Sequence, residues 1–265
     1  MKPDFRPNRL RRHVLDMAFF GQSVHVPCAF SLVEIVSALY AEHLKYDPKD
    51  PAASTRDRLV LSKGHGVMAL YAAFRELGWI EQRDIERYFH DDSRLFGLSE
   101  ADVPGLEVTS GSLGHGLPIA TGMALGFKQQ NQSQRVYCIV GDGELNEGTM
   151  WESILIAAHH KLSNLTIIVD ANGFQAMGRI EDILGLEPLA DKFKSFGFDA
   201  FECDGHDLAR LNQGFELLKK STRPQVIIAR TIKGRGVSFM ENDNVWHYTR
   251  LTKESHAQAL AELGT

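Results

Sequence analysis

Two short stretches of this chain combine residue types that can hold a cation and a phosphate. Gly141-Asp142-Gly143-Glu144 closes the apolar run Val136 to Val140, and Asn172-Gly173-Phe174 follows the run Leu165 to Val169. Glycines on both sides of Asp142 permit a tight turn and a close backbone approach, and a helix N-terminus behind such a turn favours an anion. A carboxylate, an amide oxygen and a backbone carbonyl are hard oxygen donors that leave octahedral positions open for phosphate oxygens and water. Magnesium is the ion that fits them. Alone, Gly-Asp-Gly reads equally well as a capped loop. Its pairing with Asn172 across one strand-helix-strand span, with Glu147-Gly148 and Trp151-Glu152 following it, favours the cation.

That chemistry needs a frame. Val136 to Val140, Leu165 to Val169 and Val226 to Ile232 are short runs rich in β-branched residues and read as strands. A helix of 144–160 between the first two makes a βαβ unit, with parallel pairing and a right-handed crossover. The strands are nearly all apolar, as they must be when helices cover both faces of a sheet. Leu59 to Ser62 reads as a further short strand running into Lys63-Gly64-His65-Gly66, with a helix beginning just after. Leu32, Ile35, Val36, Leu39 and Tyr40 predict a helix over 31–44, with Ser31 as N-cap and Glu34 completing a capping box. Over 116–129, Ile119, Met123, Ala124 and Phe127 predict another helical face. The expected fold is α/β: one domain over residues 1–265, built on a doubly wound, mainly parallel sheet with helices on both faces. Ligands of such sheets sit beyond the carboxyl ends of the strands, where Asp142 and Asn172 fall.

Composition narrows the function classes. The chain has 265 residues with 43% hydrophobic and 24% charged, which excludes disordered, collagen-like and coiled-coil classes. A net charge of −5 with scattered basic residues argues against a nucleic-acid partner. No apolar run reaches the roughly 18 residues of a membrane span, and the charged N-terminus lacks the apolar region of a secretory signal, so no membrane is expected and the cytoplasm is. Cys28, Cys138 and Cys203 lie far apart without CxxC spacing and fit neither a disulfide framework nor a zinc site.

Taken together, the motif blocks resemble the transketolase family of thiamine diphosphate enzymes. Gly141 to Gly148 with Trp151-Glu152 is similar to the family's metal and diphosphate motif, Leu61 to Gly66 to its early histidine motif, and Thr109 to Gly114 to its cofactor-ring loop. Asp204-Gly205-His206-Asp207, and Lys233 to Glu241 with Trp246-His247, match in the same order. The resemblance implies thiamine diphosphate with magnesium, calcium or manganese being able to take the metal's place. It implies that Asp142, Asn172 and the carbonyl of Phe174 bind the metal, and that Gly143, His65 and His247 contact phosphate oxygens, His247 also near the reacting carbon. Gly111 and Leu113 would contact the aminopyrimidine and the bend between the cofactor's rings. His25 would face the substrate, and Glu147 would belong to a carboxylate network between cofactor sites across a subunit interface. The implied catalytic set is therefore His25, His65, His247 and Glu147, and the implied reaction is transfer of a two-carbon glycolaldehyde unit from a ketose to an aldose.

The glutamate that activates the cofactor lies, in this family, in a following pyrimidine-binding domain, and the sequence stops at Thr265. The expectation is the diphosphate-binding subunit of a split transketolase, active with a separate pyrimidine-binding chain in a heterotetramer of two copies of each. Two departures bear on the sugar. Val24-His25-Val26-Pro27-Cys28 replaces the family's Gly-His-Pro-Gly, and Leu98 in Phe96-Gly97-Leu98-Ser99-Glu100 stands where a histidine recognises a donor hydroxyl. Losing that hydrogen bond changes discrimination and points to a specialised ketose, phosphorylated or otherwise modified. A thiamine diphosphate enzyme acting on 2-oxo acids, and a non-catalytic binding or regulatory homologue, are the alternatives. The absence of a GxGxxG after an early strand argues against a dinucleotide enzyme.

Overall fold

A computed structural model describes residues 3–264. Five parallel strands, β1 (Arg58–Leu61), β2 (Val136–Gly141), β3 (Leu165–Ala171), β4 (Asp199–Asp204) and β5 (Gln225–Arg230), form one sheet in the order β1-β2-β3-β5-β4. The registers align the carboxyl ends: Val140 pairs with Val169, which pairs with Ile228.

Alternation along the strands sends successive side chains into two different cores. Val136, Cys138 and Val140 pack beneath α6 (Gly116–Gln129), α7 (Gly148–His159) and α9 (Leu189–Ser195), while Tyr137 and Ile139 pack on the opposite face. That second face is covered by α1 (Pro7–Phe20), α2 (Val26–Phe30), α3 (Val33–Ala38), α4 (Met68–Leu77), α10 (Leu208–Leu218) and α11 (Lys253–Glu262). Two short helices, α5 (Gln82–Glu86) and α8 (Ile180–Ile183), lie in connecting segments. The α/β reading of the sequence therefore holds, helices on both faces included. Among the described residues no helix is long and apolar enough to cross a membrane.

Several elements differ from their sequence reading, each for a local reason. The helix expected over 31–44 is shorter and changes type: α3 runs on into a π-helical turn, Leu39–His43, and a separate helix, α2, ends just before it at Phe30. Ser31 is no N-cap there. Its hydroxyl donates to Asp170 Oδ2 at 2.7 Å, and Glu34 pairs with Arg11 instead of closing a capping box. In α6 the buried stripe is Leu117, Ala120, Thr121 and Ala124, and Ile119 faces outward. The helix expected from Glu144 starts at Gly148, because Gly143–Asn146 first makes a 3₁₀ turn. β4, with the sequence Asp-Ala-Phe-Glu-Cys-Asp, is an edge strand that the apolar pattern did not reveal.

Candidate active site

The carboxyl ends of β1, β2, β3 and β5 open into a cleft of about 300 Å³. Each strand delivers a different part of the site. β2 ends at Asp142, whose Oδ1 accepts from Gly143 N at 2.9 Å and whose Oδ2 accepts from Gly173 N at 2.6 Å. β3 ends at Asn172. Its Oδ1 accepts from Phe174 N at 3.0 Å and its Nδ2 donates to Asp170 Oδ2 at 3.0 Å, so the amide is oriented from both ends. A side chain at Gly143 would place its Cβ 3.6 Å from the Phe174 carbonyl oxygen, which puts that carbonyl beside the Asp142 turn.

Asp142, Asn172 and Phe174 line the same cleft, and the carboxylate, amide oxygen and backbone carbonyl they carry are of the hard type that magnesium takes. Among the described residues no three His, Cys, Asp or Glu side chains cluster as a metal site, so a thiolate or imidazole cage is not the alternative. Electrostatics point the same way. Burial, and then the charge of Asp170, push the Asp142 carboxyl up to about 7, so its ionised form is short of positive charge. Asp170 itself is fully buried, and burial alone would raise it. Lys63 Nζ at 2.6 Å, with hydroxyls from Ser31 and Thr231, holds it below the usual carboxylate value. Lys63 is therefore bonded to Asp170, and at Asp142 its charge offsets burial and the Asp170 charge only in part.

Three imidazoles line the same cleft. The ring centroids of His25 and His247 are 5.0 Å apart, those of His25 and His65 5.3 Å, and those of His65 and His247 5.8 Å. His25 reaches its place from a left-handed backbone conformation, φ 69°, that a non-glycine residue adopts only under constraint. Its amide donates to the carbonyl of His247 at 3.2 Å, which ties the start of α2 to the Trp246-His247 segment. Burial, reinforced by Lys233 and Lys63, lowers His25 to about 4. Burial, then Lys233 and His25, lowers His247 to about 3, and burial with Lys63 takes His65 well below its ordinary value. All three are neutral near pH 7 and present both donor and acceptor nitrogens.

The loop 110–114 closes one wall. Gly64 lies so close to it that a Cβ there would stand 2.1 Å from the Ser110 carbonyl oxygen. Gly114 needs its positive φ of 84°, and its amide donates to Glu144 Oε1 at 3.0 Å. Buried Glu144 also accepts from Ser62 Oγ at 2.5 Å and from Gly141 N at 3.1 Å. It thereby locks the early histidine loop, the ring loop and the Asp142 turn together.

The cleft brings together His25, His65, Gly111, Leu113, Asp142 and Gly143, and with them Asn172, Phe174 and His247. Glu147 is not in the lining. It is exposed as the N-cap of α7, one residue before the helix rather than a turn inside it. The structure adds Cys28, Lys63, Glu144, Met177, Lys233 and Tyr248. Lys63, Glu144 and Lys233 stand inside motifs the sequence shows, next to residues already singled out. Leu98 lines the cleft as well and contacts the ring loop, a Cβ at Gly111 lying 2.6 Å from its Cδ1.

Residues 7–265 match the family described as transketolase, thiamine diphosphate binding domain. The chain belongs to the transketolase family. Among its relatives, a subunit of the apulose-4-phosphate transketolase of Actinobacillus succinogenes is 40% identical, over 90% of this chain and 87% of that one. The 6-deoxy-6-sulfo-D-fructose transketolase subunit SqwG of Clostridium sp. (strain MSTE9) is 38% identical, over 90% of this chain and 88% of that one. A crystal structure of transketolase from Campylobacter jejuni superposes with a TM-score of 0.91 at 32% identity, covering 97% of this chain and 42% of that one. The transketolase chain spans nearly all of the subunit-type relatives and about two fifths of that larger enzyme.

Proposed function

We propose that this chain is the diphosphate-binding subunit of a two-component transketolase, which moves a two-carbon ketol unit from a ketose to an aldose acceptor. The observation that carries the reading is the oxygen-donor set of Asp142, Asn172 and Phe174 beside three neutral imidazoles in one cleft, on a chain of this family. Residues 1–265 act as one domain. Asp142, Asn172 and the Phe174 carbonyl hold magnesium, and Gly143, His65 and His247 contact the diphosphate. Gly111 and Leu113 receive the aminopyrimidine and the bend between the rings. When bound, thiamine diphosphate supplies the electron sink for breaking and remaking the carbon–carbon bond next to a carbonyl.

The residues of this chain do the rest. His25, strained into the cleft and neutral near pH 7, faces the sugar and exchanges hydrogen bonds with its hydroxyl oxygens. Leu98 offers the donor no polar contact, and two relatives carry the names of specialised sugars, which together support a specialised ketose. Glu147, exposed at the head of α7, is available to a carboxylate network with a partner. The match to subunit-type relatives along nearly their whole length supports a separate pyrimidine-binding chain, in a heterotetramer with two copies of each. Three free, buried cysteines suit a reducing cytoplasm.

The test pairs the chain with a pyrimidine-binding transketolase partner and offers ketose and 2-oxo acid donors. Ketol transfer that needs both chains, magnesium and thiamine diphosphate is the expected result. Turnover of 2-oxo acids alone, or no magnesium-dependent cofactor binding by calorimetry, would overturn the reading.

A further inference from the structure

The two nitrogens of the His247 ring have unequal surroundings, and the difference settles more than its position. Nδ1 lies 3.0 Å from Lys233 Nζ and 3.4 Å from Cys28 Sγ. The direction of the lysine contact is fixed from outside. The Ala176 carbonyl can only accept, so Asn244 Nδ2 donates to it, at 2.9 Å. That leaves Asn244 Oδ1 facing Lys233, and Nζ donates to it at 2.6 Å. An ammonium has three donors and no acceptor, so its contact with His247 is also a donation. Burial pushes the Cys28 thiol up, so the second neighbour of Nδ1 keeps its S–H and can donate as well. Nδ1 is therefore the unprotonated nitrogen, and in a neutral ring the proton sits on Nε2, the nitrogen left for the cleft that His247 lines.

We infer that Lys233 is a positioning residue that holds His247 in the Nε2–H tautomer, so that this imidazole meets the cleft as a hydrogen-bond donor and not as a base. The inference rests on the transketolase reading only for its consequence: His247 donates to a substrate or cofactor oxygen, and abstraction of a hydroxyl proton falls to another imidazole. His25 is placed for that, since its ring nitrogens make no hydrogen bond among the described residues. The relay from Ala176 through Asn244 and Lys233 also couples the tautomer to the segment just after the proposed metal ligands.

The test is the nitrogen spectrum of the full chain labelled with ¹⁵N-histidine, recorded without cofactor or sugar and assigned with His247→Gln. Long-range proton–nitrogen correlations should show Nε2 protonated and Nδ1 bare. Lys233→Met should give a mixture of tautomers, Lys233→Glu should invert the pattern by accepting from Nδ1–H, and Lys233→Arg should keep it. In the complex with its partner, Lys233→Met should lower kcat roughly tenfold or more with a smaller change in donor KM, and Lys233→Arg should restore most of it. A native His247 protonated on Nδ1 overturns the inference whatever the variants do. So does one pattern shared by the native, Met and Glu forms. The spectrum needs no turnover, so an inactive pair with the Nε2–H tautomer would sink the functional reading alone, and an active pair with the other tautomer would sink this one alone.

Discussion

Two buried carboxylates, Glu34 and Asp142, respond to similar burial in opposite ways. Glu34 on α3 is gripped by both Arg11 nitrogens at 2.8 Å and by His206 Nδ1 at 2.9 Å, and His206 Nε2 in turn accepts from Ile232 N. Burial would raise its pKa, but these partners hold it below the usual carboxylate range. Asp142 receives only backbone amides and is pushed up to about 7. The first cluster is electrically closed: its charges are answered within the chain, and its work is to join α1, α3 and the segments after β4 and β5. The second is open, and an open buried carboxylate invites a cation from outside.

The largest effect expected of this contrast is on the closed side. Arg11→Met leaves the Glu34 carboxylate buried without its main partner, and should cost about 3–5 kcal/mol of stability in urea unfolding. On the open side, Asp142→Ala should lower the affinity for thiamine diphosphate in magnesium by more than about a hundredfold, since even outer-shell partners of metal ligands are worth roughly 10–100-fold. Its urea midpoint without cofactor should stay level or rise. If Asp142→Ala unfolds the chain as Arg11→Met does, the two clusters are of one kind and the contrast fails.

A smaller effect sharpens the boundary between structure and site. Gly114→Ala forces a side chain onto a positive φ, with its Cβ 2.6 Å from Thr149 Oγ1 and 2.8 Å from Glu147 Cβ. It should cost about 1–3 kcal/mol and, because this loop forms the cleft wall, weaken cofactor binding as well. Loss of stability with unchanged cofactor affinity in calorimetry would detach the loop from the site.

The sequence made the open cluster easier to read than the closed one. Asp142 and Asn172 follow apolar β-branched runs whose ends mark the ligand edge of a parallel sheet, so position and chemistry coincide in a few residues. The Glu34 cluster joins residues 23 and 172 positions apart. Spacing says nothing about such a contact, and Glu34 read naturally as a capping residue. Lys63 was hidden in the same way, inside a recognised motif but with its partner Asp170 on another strand. β4 escaped because an edge strand with half-exposed polar residues has no apolar run. The sheet was legible where both faces are buried; α2 went unread and the start of α3 was placed at Ser31, because the stretch 26–40 is buried on every side and gives no periodic break.

The smallest effect separates the clusters by pH. A depressed folded pKa means that the native state holds Glu34 ionised more strongly than the unfolded chain does, where glutamate titrates near about 4.3. Its contribution is complete above that value and drains away as pH falls through the lower folded value, by about 1.4 kcal/mol for each unit of depression. The stability gap between the native chain and Glu34→Gln should therefore narrow on acidification below about pH 4. Urea titrations at a series of pH values measure that gap directly. A gap that stays constant into the acid range would mean that Arg11 and His206 do not hold the carboxylate ionised, and the closed cluster would then be a packing contact between polar groups, no different in kind from the backbone amides around Asp142.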